Sequence, residues 1–153
     1  MSPRALPHAL AAIAAALLLA LAGLAPRPAA AQQITTHGVT LHYAALPSTA
    51  LDPAVATRYG VTRSAERAVF TLVARRDGVS LPARITGTAT NEAGVSLPVA
   101  AREVRDGADV SQLAQIRVRT PRDMLRFQLQ VEVAGAPPIP LVFRQAFFQD
   151  PVR

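Results

Sequence analysis

The sequence predicts an all-β domain: an immunoglobulin-like antiparallel β-sandwich of about seven strands, with one short helix after the first strand. Three observations support this prediction: alternating apolar segments, glycine-containing turns between them, and a single compact helix signal. The clearest alternation covers residues 125–133, where apolar side chains alternate strictly with Arg, Gln and Glu. Because successive strand side chains point to opposite faces, one face enters the core and the other meets water. A small open barrel is the alternative architecture.

Other segments show the same period of two less regularly. Residues 68–74 are apolar in both alternating sets, which predicts a central strand that is buried on both faces. Asp-Gly pairs separate several segments and favour tight turns, because glycine adopts positive φ angles without steric cost. The predicted strands cover residues 39–43, 68–74, 81–90, 95–104, 110–119, 125–133 and 141–148.

Residues 52–60 predict the short helix. Asp52 can accept hydrogen bonds from the free amides of the first turn, and Pro53 suits the first helical position. Gly60 can end the helix, and Val55 and Tyr59 lie four residues apart on one face. One or two turns are too short to be stable alone, so we expect this helix to pack against the sandwich.

The first 31 residues have the pattern of a cleaved secretory signal peptide. Arg4 precedes an apolar run over residues 9–25, and three alanines lie before Gln32. Residues 32–153 then form a single domain with no further stretch long enough to span a membrane. Since the chain has no cysteine to carry a lipid, we expect a non-lipidated periplasmic protein.

The composition bears on possible partners. All 16 basic residues are arginines, against 10 acidic residues, and the net charge is +6. The arginines are scattered singly and in pairs, without a basic block or interleaved aromatic residues, so we expect no nucleic-acid binding. Export without cysteine means that the hydrophobic core must stabilise the fold without disulfides.

Residue patterns for catalysis and metal binding are weak. His37 and His42 are five residues apart, which places them on opposite faces of a strand and disfavours a shared metal. Ser48 and Thr49 lack a Gly-x-Ser-x-Gly context and are interpreted as turn groups bonded to nearby backbone. We therefore expect no enzymatic activity, no metal and no cofactor.

The loop over residues 58–64 is the best candidate for a function beyond folding. The candidate binding surface consists of Arg58, Tyr59, Arg63, Ser64 and Asn91. Two arginines and a tyrosine can bind a carboxylate or phosphate through paired hydrogen bonds. The structural alternative is that Tyr59 anchors the helix, Arg63 pairs with an acid such as Glu66, and Asn91 holds its own turn.

Several short motifs can be compared with those of known families. They are Val39-Thr40-Leu41-His42-Tyr43, Pro47-Ser48-Thr49-Ala50-Leu51, Pro53-Ala54-Val55-Ala56, Tyr59-Gly60-Val61-Thr62-Arg63-Ser64, Gly87-Thr88-Ala89-Thr90-Asn91 with Gly94, Leu125-Arg126-Phe127, and Phe143-Arg144-Gln145-Ala146-Phe147-Phe148. With these motifs the chain resembles, over residues 38–150, a bacterial family of small exported proteins, the domain-of-unknown-function family 4426. The resemblance implies an all-β periplasmic domain and implies no activity.

These observations predict a non-enzymatic periplasmic interaction module, expected to be a monomer, whose partner is an unidentified envelope protein. An exposed edge strand or a loop would supply the contact. The alternative is a domain that binds a small ligand or an envelope glycan through the loop 58–64. An enzyme of an unrecognised type and a purely stabilising accessory domain are further alternatives.

Overall fold

The computed structural model describes residues 31–119 and 122–148. Two antiparallel sheets pack face to face within them, and no strand of one sheet pairs with a strand of the other in this part of the chain. The all-β sandwich prediction is therefore confirmed, and the barrel alternative is wrong. Residues 1–30 of the predicted signal peptide lie outside the described residues.

The larger sheet has six strands. They are β1 (Gln32–Thr36), β2 (Val39–Pro47), β3 (Arg67–Arg76), β4 (Val79–Leu81), β7 (Arg102–Asp106) and β8 (Asp109–Arg117). Their order is β1-β2-β3-β8-β7, and β4 pairs with the end of β3. The predicted strand 68–74 is central, between β2 and β8.

The smaller sheet has four strands. They are β5 (Ala83–Asn91), β6 (Ser96–Pro98), β9 (Arg122–Val133) and β10 (Ile139–Phe148). The order is β10-β9-β5-β6, so β10 and β6 form its edges. In β9 the residues from Leu125 to Val133 alternate between buried and exposed positions, as their sequence pattern predicts.

The described residues contain ten strands, more than the seven predicted. The predicted strand 95–104 is two short strands, β6 and β7, which belong to different sheets. Val99, between them, is buried and donates its amide hydrogen bond to the Gly87 carbonyl, 3.0 Å away, as the chain crosses over. Pro98, the last residue of β6, is the sequence signal for this break, because proline cannot donate a hydrogen bond to a strand ladder. The helix was predicted to follow the first strand, but it follows the second. The strand β1, which the sequence analysis did not predict, precedes the predicted strand at residues 39–43.

The main core lies between the sheets. Phe70 of β3 stacks on Phe127 of β9 with ring centroids 5.8 Å apart, and Phe127 stacks on Phe143 of β10 at 4.5 Å. Tyr43 of β2 packs on the same Phe143 ring at 4.9 Å. This aromatic cluster joins the two sheets, and apolar burial of this kind is the dominant stabilising force in folding.

The predicted helix is α1 (Pro53–Arg58), preceded by a 3₁₀ turn at Ser48–Ala50. The Asp52 carboxylate accepts hydrogen bonds from Ala54 N at 2.8 Å and Val55 N at 3.3 Å. Gly60, just beyond the helix, has a φ of +63°. Both ends of the helix are therefore set by the local signals predicted from the sequence.

Helix α1 and its flanking loops cover the outer face of the larger sheet. The buried residues of this second cluster are Leu46, Leu51, Ala56, Val61, Val69 and Leu113. Val69 points towards α1 while its neighbour Phe70 points into the main core, which confirms that this strand is buried on both faces. Within the described residues, no helix is long and apolar enough to cross a membrane.

Candidate functional site

Arg58 and Tyr59 lie at the end of α1 and face the edge strand β7. Arg58 Nη2 donates to Asp106 Oδ1 at 2.9 Å, and the Tyr59 hydroxyl donates to Asp106 Oδ2 at 3.1 Å. The Arg58 side chain is 59% exposed, so this ion pair is screened by water and adds little stability. Together the three side chains, which we call the helix latch, hold the end of α1 to β7.

The pKa of Tyr59 lies above the usual tyrosine value. Partial burial is the main cause, followed by the hydrogen bond to Asp106 and the negative charge of that carboxylate, while Arg58 acts in the opposite direction. The upward shift favours the protonated phenol, which donates its hydrogen to Asp106.

An open groove of about 400 Å³ lies beside the helix latch. The residues that line this arginine groove are Arg58, Tyr59, Gly60, Arg102, Val104 and Arg105. Arg102 donates to the Tyr59 carbonyl, and Arg105 Nε donates to Glu103 at 2.6 Å. Three guanidinium groups therefore surround one groove, although each already has a partner within the protein.

Arg63 and Ser64 hold the loop in place. Arg63 Nη2 donates to the Thr49 carbonyl at 3.0 Å, and no ion pair links Arg63 to Glu66. The hydroxyl of Ser48, which is fully buried, donates to the Ser64 carbonyl and accepts from the Ser64 amide, both at 2.9 Å. We call this pair of Ser48–Ser64 hydrogen bonds the serine clamp. It joins the two ends of the segment 48–64, which contains α1.

Asn91 lies at the end of β5 in the smaller sheet. Its side-chain oxygen accepts a hydrogen bond from Val95 N at 2.9 Å, and its backbone N–H donates to the Val95 carbonyl at 3.0 Å. Since α1 packs on the outer face of the larger sheet, that sheet separates Asn91 from the loop 58–64. The structure therefore divides the five predicted residues: Arg58 and Tyr59 line the arginine groove, Arg63 and Ser64 are bonded to the segment 48–49, and Asn91 holds its own turn.

Sequence reasoning did not single out Arg102 and Arg105 of the arginine groove. Both belong to β7, more than forty residues from α1 in the chain, and they reach the loop only because β7 pairs with β8 at the sheet edge. A sequence alone does not indicate which strand becomes the neighbour of a loop. Within residues 31–119 and 122–148, no group of three or more His, Cys, Asp or Glu side chains is placed to hold a metal ion.

A second surface lies along β10, the edge strand of the smaller sheet. β10 has ten residues, whereas the other edge strands have five or fewer. Val142 is 56% exposed and Phe148 is 49% exposed, on the outward face of the strand. Long exposed edges are unusual, because unpaired backbone groups invite pairing with another chain.

Arginines lie beside these apolar side chains. Arg144 of β10 is directly opposite Arg126 of β9, and both are exposed. Arg122 of β9 lies over the Phe148 ring, 5.3 Å from its centroid. Among the described residues, neither Arg126 nor Arg144 has a hydrogen bond or ion pair. We call Arg122, Arg126, Val142, Arg144 and Phe148 the β10 surface.

Comparison with known proteins places this fold and sequence in a family. The model of the family described as Domain of unknown function (DUF4426) matches residues 33–150, and the chain belongs to this family. The chain is similar to a DUF4426 family protein from Pseudomonas aeruginosa PAO1, whose crystal structure is solved. The two share 29% identity with a TM-score of 0.68, over 78% of this chain and 96% of the other. No curated protein matches the chain.

Proposed function

We propose that this protein is a periplasmic, non-enzymatic interaction module that binds an envelope protein through the β10 surface. The observation that carries this proposal is the ten-residue edge strand β10, which exposes the side chains of Val142 and Phe148 on its outward face. In an antiparallel pair every second residue turns its N–H and C=O away from the partner strand. The open side of β10 therefore offers backbone groups that an incoming strand can pair with. The location rests on the signal-peptide pattern of residues 1–31.

The loop 58–64 supports partner binding less well than β10 does. Arg58 is bonded to Asp106, Arg63 to Thr49, and the Ser64 backbone to Ser48. A partner at this loop would have to replace those hydrogen bonds, and the exchange would return little net free energy. These contacts favour the interpretation of the loop as a support for α1.

A photo-crosslinking amino acid at Val142, introduced into the exported protein in living cells, tests this proposal. We expect one dominant protein adduct, identified by mass spectrometry. The matched control carries the same crosslinker at Thr35, which is exposed on the edge strand β1 of the larger sheet. Equal adducts from both positions, or none from a folded and exported Val142 variant, would contradict the proposal.

The arginine groove supports a second candidate function, the binding of a small anionic ligand or an envelope glycan. Arg105 is the lining residue to test, because its ion pair with Glu103 links neighbouring exposed side chains of one strand and holds no loop in place. Thermal-shift measurements with a panel of carboxylates, sugar phosphates and acidic glycan fragments would detect binding. Arg105→Ala should abolish the ligand-induced shift, whereas Arg63→Ala, outside the groove, should retain it. Unchanged shifts in Arg105→Ala would contradict this function.

A further inference from the structure

We infer that the segment bound by β10 is an extended acidic strand that places a carboxylate beside Arg144. This inference rests on the proposed function of the β10 surface and adds the chemistry of the partner. Its basis is the pair formed by Arg126 and Arg144, two exposed like charges directly opposite each other on neighbouring strands.

The arginine pair is unfavourable in the isolated protein. Like charges directly opposite in an antiparallel sheet repel and destabilise it. Neither guanidinium group has a hydrogen bond or ion pair within the part of the chain that the structure describes. A carboxylate on the added strand, beside Arg144 and on the side away from β9, would offset this repulsion through charge-assisted hydrogen bonds to Arg144.

The nearby acidic residues do not neutralise this pair. Asp123, next to Arg122 in the chain, points inward, is 7% exposed and accepts from Arg119 N at 2.9 Å. Glu92 lies in the turn after β5 and forms no ion pair with a described residue. Glu132 shares the outer face but is opposite Arg84, at the far end of the sheet. It is six positions along β9 from Arg126, which is roughly 20 Å along a strand.

The spacing of outward side chains on β10 predicts the pattern of the partner segment. Val142, Arg144, Ala146 and Phe148 follow one another at intervals of two residues along the strand. A strand added to the open edge places its own outward side chains directly beside these. We therefore expect the partner segment to carry an acidic residue beside Arg144. An apolar residue two positions away on one side would lie beside Val142, and another, four positions away on the other side, would lie beside Phe148.

The same arrangement disfavours pairing with a second copy of the chain. Two β10 strands that paired antiparallel around Arg144 would bring their arginines together, and the repulsion would add to that of Arg126 in each copy. Charged residues on edge strands commonly prevent self-association in this way. The edge therefore excludes its own copy and favours an acidic segment.

The decisive experiment repeats the Val142 crosslinking in the full exported protein and sequences the attached peptide. We expect attachment within an acidic segment of the stated spacing. The double substitution Arg126→Glu and Arg144→Glu should reduce the adduct about tenfold, which corresponds to about 1.4 kcal/mol. The matching double change to lysine should keep most of it. Arg84→Glu, on the same face but at the far end, is the control and should leave the yield unchanged.

Other outcomes separate this inference from the proposed function. A yield within about twofold after charge reversal, or attachment in a neutral or basic segment, would overturn the acidic partner and leave the interaction module standing. An adduct with a second copy or with lipid would overturn the inference and the proposed function. Melting curves of each purified variant verify that the substitutions leave the fold intact.

Discussion

Gly87, in the middle of β5, is the glycine whose replacement the described part of the structure tolerates least. Its φ is +136°, and an added Cβ would overlap the Gln128 carbonyl oxygen and lie 2.8 Å from Leu129 Cα. We expect Gly87→Ala to lower the free energy of unfolding by about 2–4 kcal/mol, because β5 and β9 would have to separate. Denaturant unfolding measures this loss. The control Gly94→Ala meets nothing within 4 Å, so only the cost of its positive φ, about 1–2 kcal/mol, should remain.

Ser48 is the second residue with a specific requirement, because its buried hydroxyl forms both bonds of the serine clamp. Ser48→Ala leaves the amide and the carbonyl of Ser64 without this partner. We expect the free energy of unfolding to fall by about 1–3 kcal/mol, the usual cost of unsatisfied buried polar groups. Ser96→Ala removes an exposed hydroxyl bonded to Thr90 and should change stability by less than about 0.5 kcal/mol. If Ser48→Ala and Ser96→Ala lost equal amounts of unfolding free energy in urea, the stabilising role of the serine clamp would be contradicted.

The helix α1 is an element that local signals define and a tertiary contact positions. Asp52 and Gly60 determine where it begins and ends, and these could be read from the sequence. The helix latch to Asp106 could not, because it depends on β7 reaching the edge of the larger sheet. The strand prediction for residues 95–104 was wrong because it continued through Pro98, where β6 ends and the chain leaves the smaller sheet.

The raised pKa of Tyr59 predicts that the stability of the fold falls at high pH. Because the pKa of Tyr59 is raised in the folded state, the folded protein retains this proton more strongly than the unfolded chain, whose tyrosines titrate near a pKa of about 10. The contribution to stability is complete below that pH and is lost as the pH rises through the folded pKa. Tyr43 behaves in the same direction because of burial.

Tyr59→Phe isolates the contribution of the helix latch at high pH. We expect the variant to lose less stability above about pH 10 than the wild type, because only Tyr43 still titrates. Ultraviolet absorbance of the phenolate, recorded during an alkaline titration of both proteins, checks this expectation. A Tyr59 signal that titrates at the unfolded value would contradict the raised pKa.

At the scale of the whole molecule, the aromatic cluster between the sheets supplies stabilisation to a chain that has no cysteine for disulfides. Phe127 contacts both Phe70 of the larger sheet and Phe143 of its own sheet. We expect Phe127→Ala to cost about 3–5 kcal/mol, a large part of the 5–15 kcal/mol available to a typical domain. Thermal unfolding measures the effect, and Phe148→Ala, at a half-exposed aromatic position, should cost far less. Similar losses of stability in Phe127→Ala and Phe148→Ala would contradict this role of the aromatic cluster.

The sequence by itself determined the all-β class, the alternation of β9, the ends of α1 and the central position of the strand at residues 68–74. These properties follow from side-chain period and from hydrogen bonds between residues close in the chain. Only the tertiary structure decided that Asn91 lies apart from the loop 58–64, that Arg102 and Arg105 line the arginine groove, and that Arg126 is opposite Arg144. Strand order and register set these contacts, and both depend on packing between residues far apart in the chain.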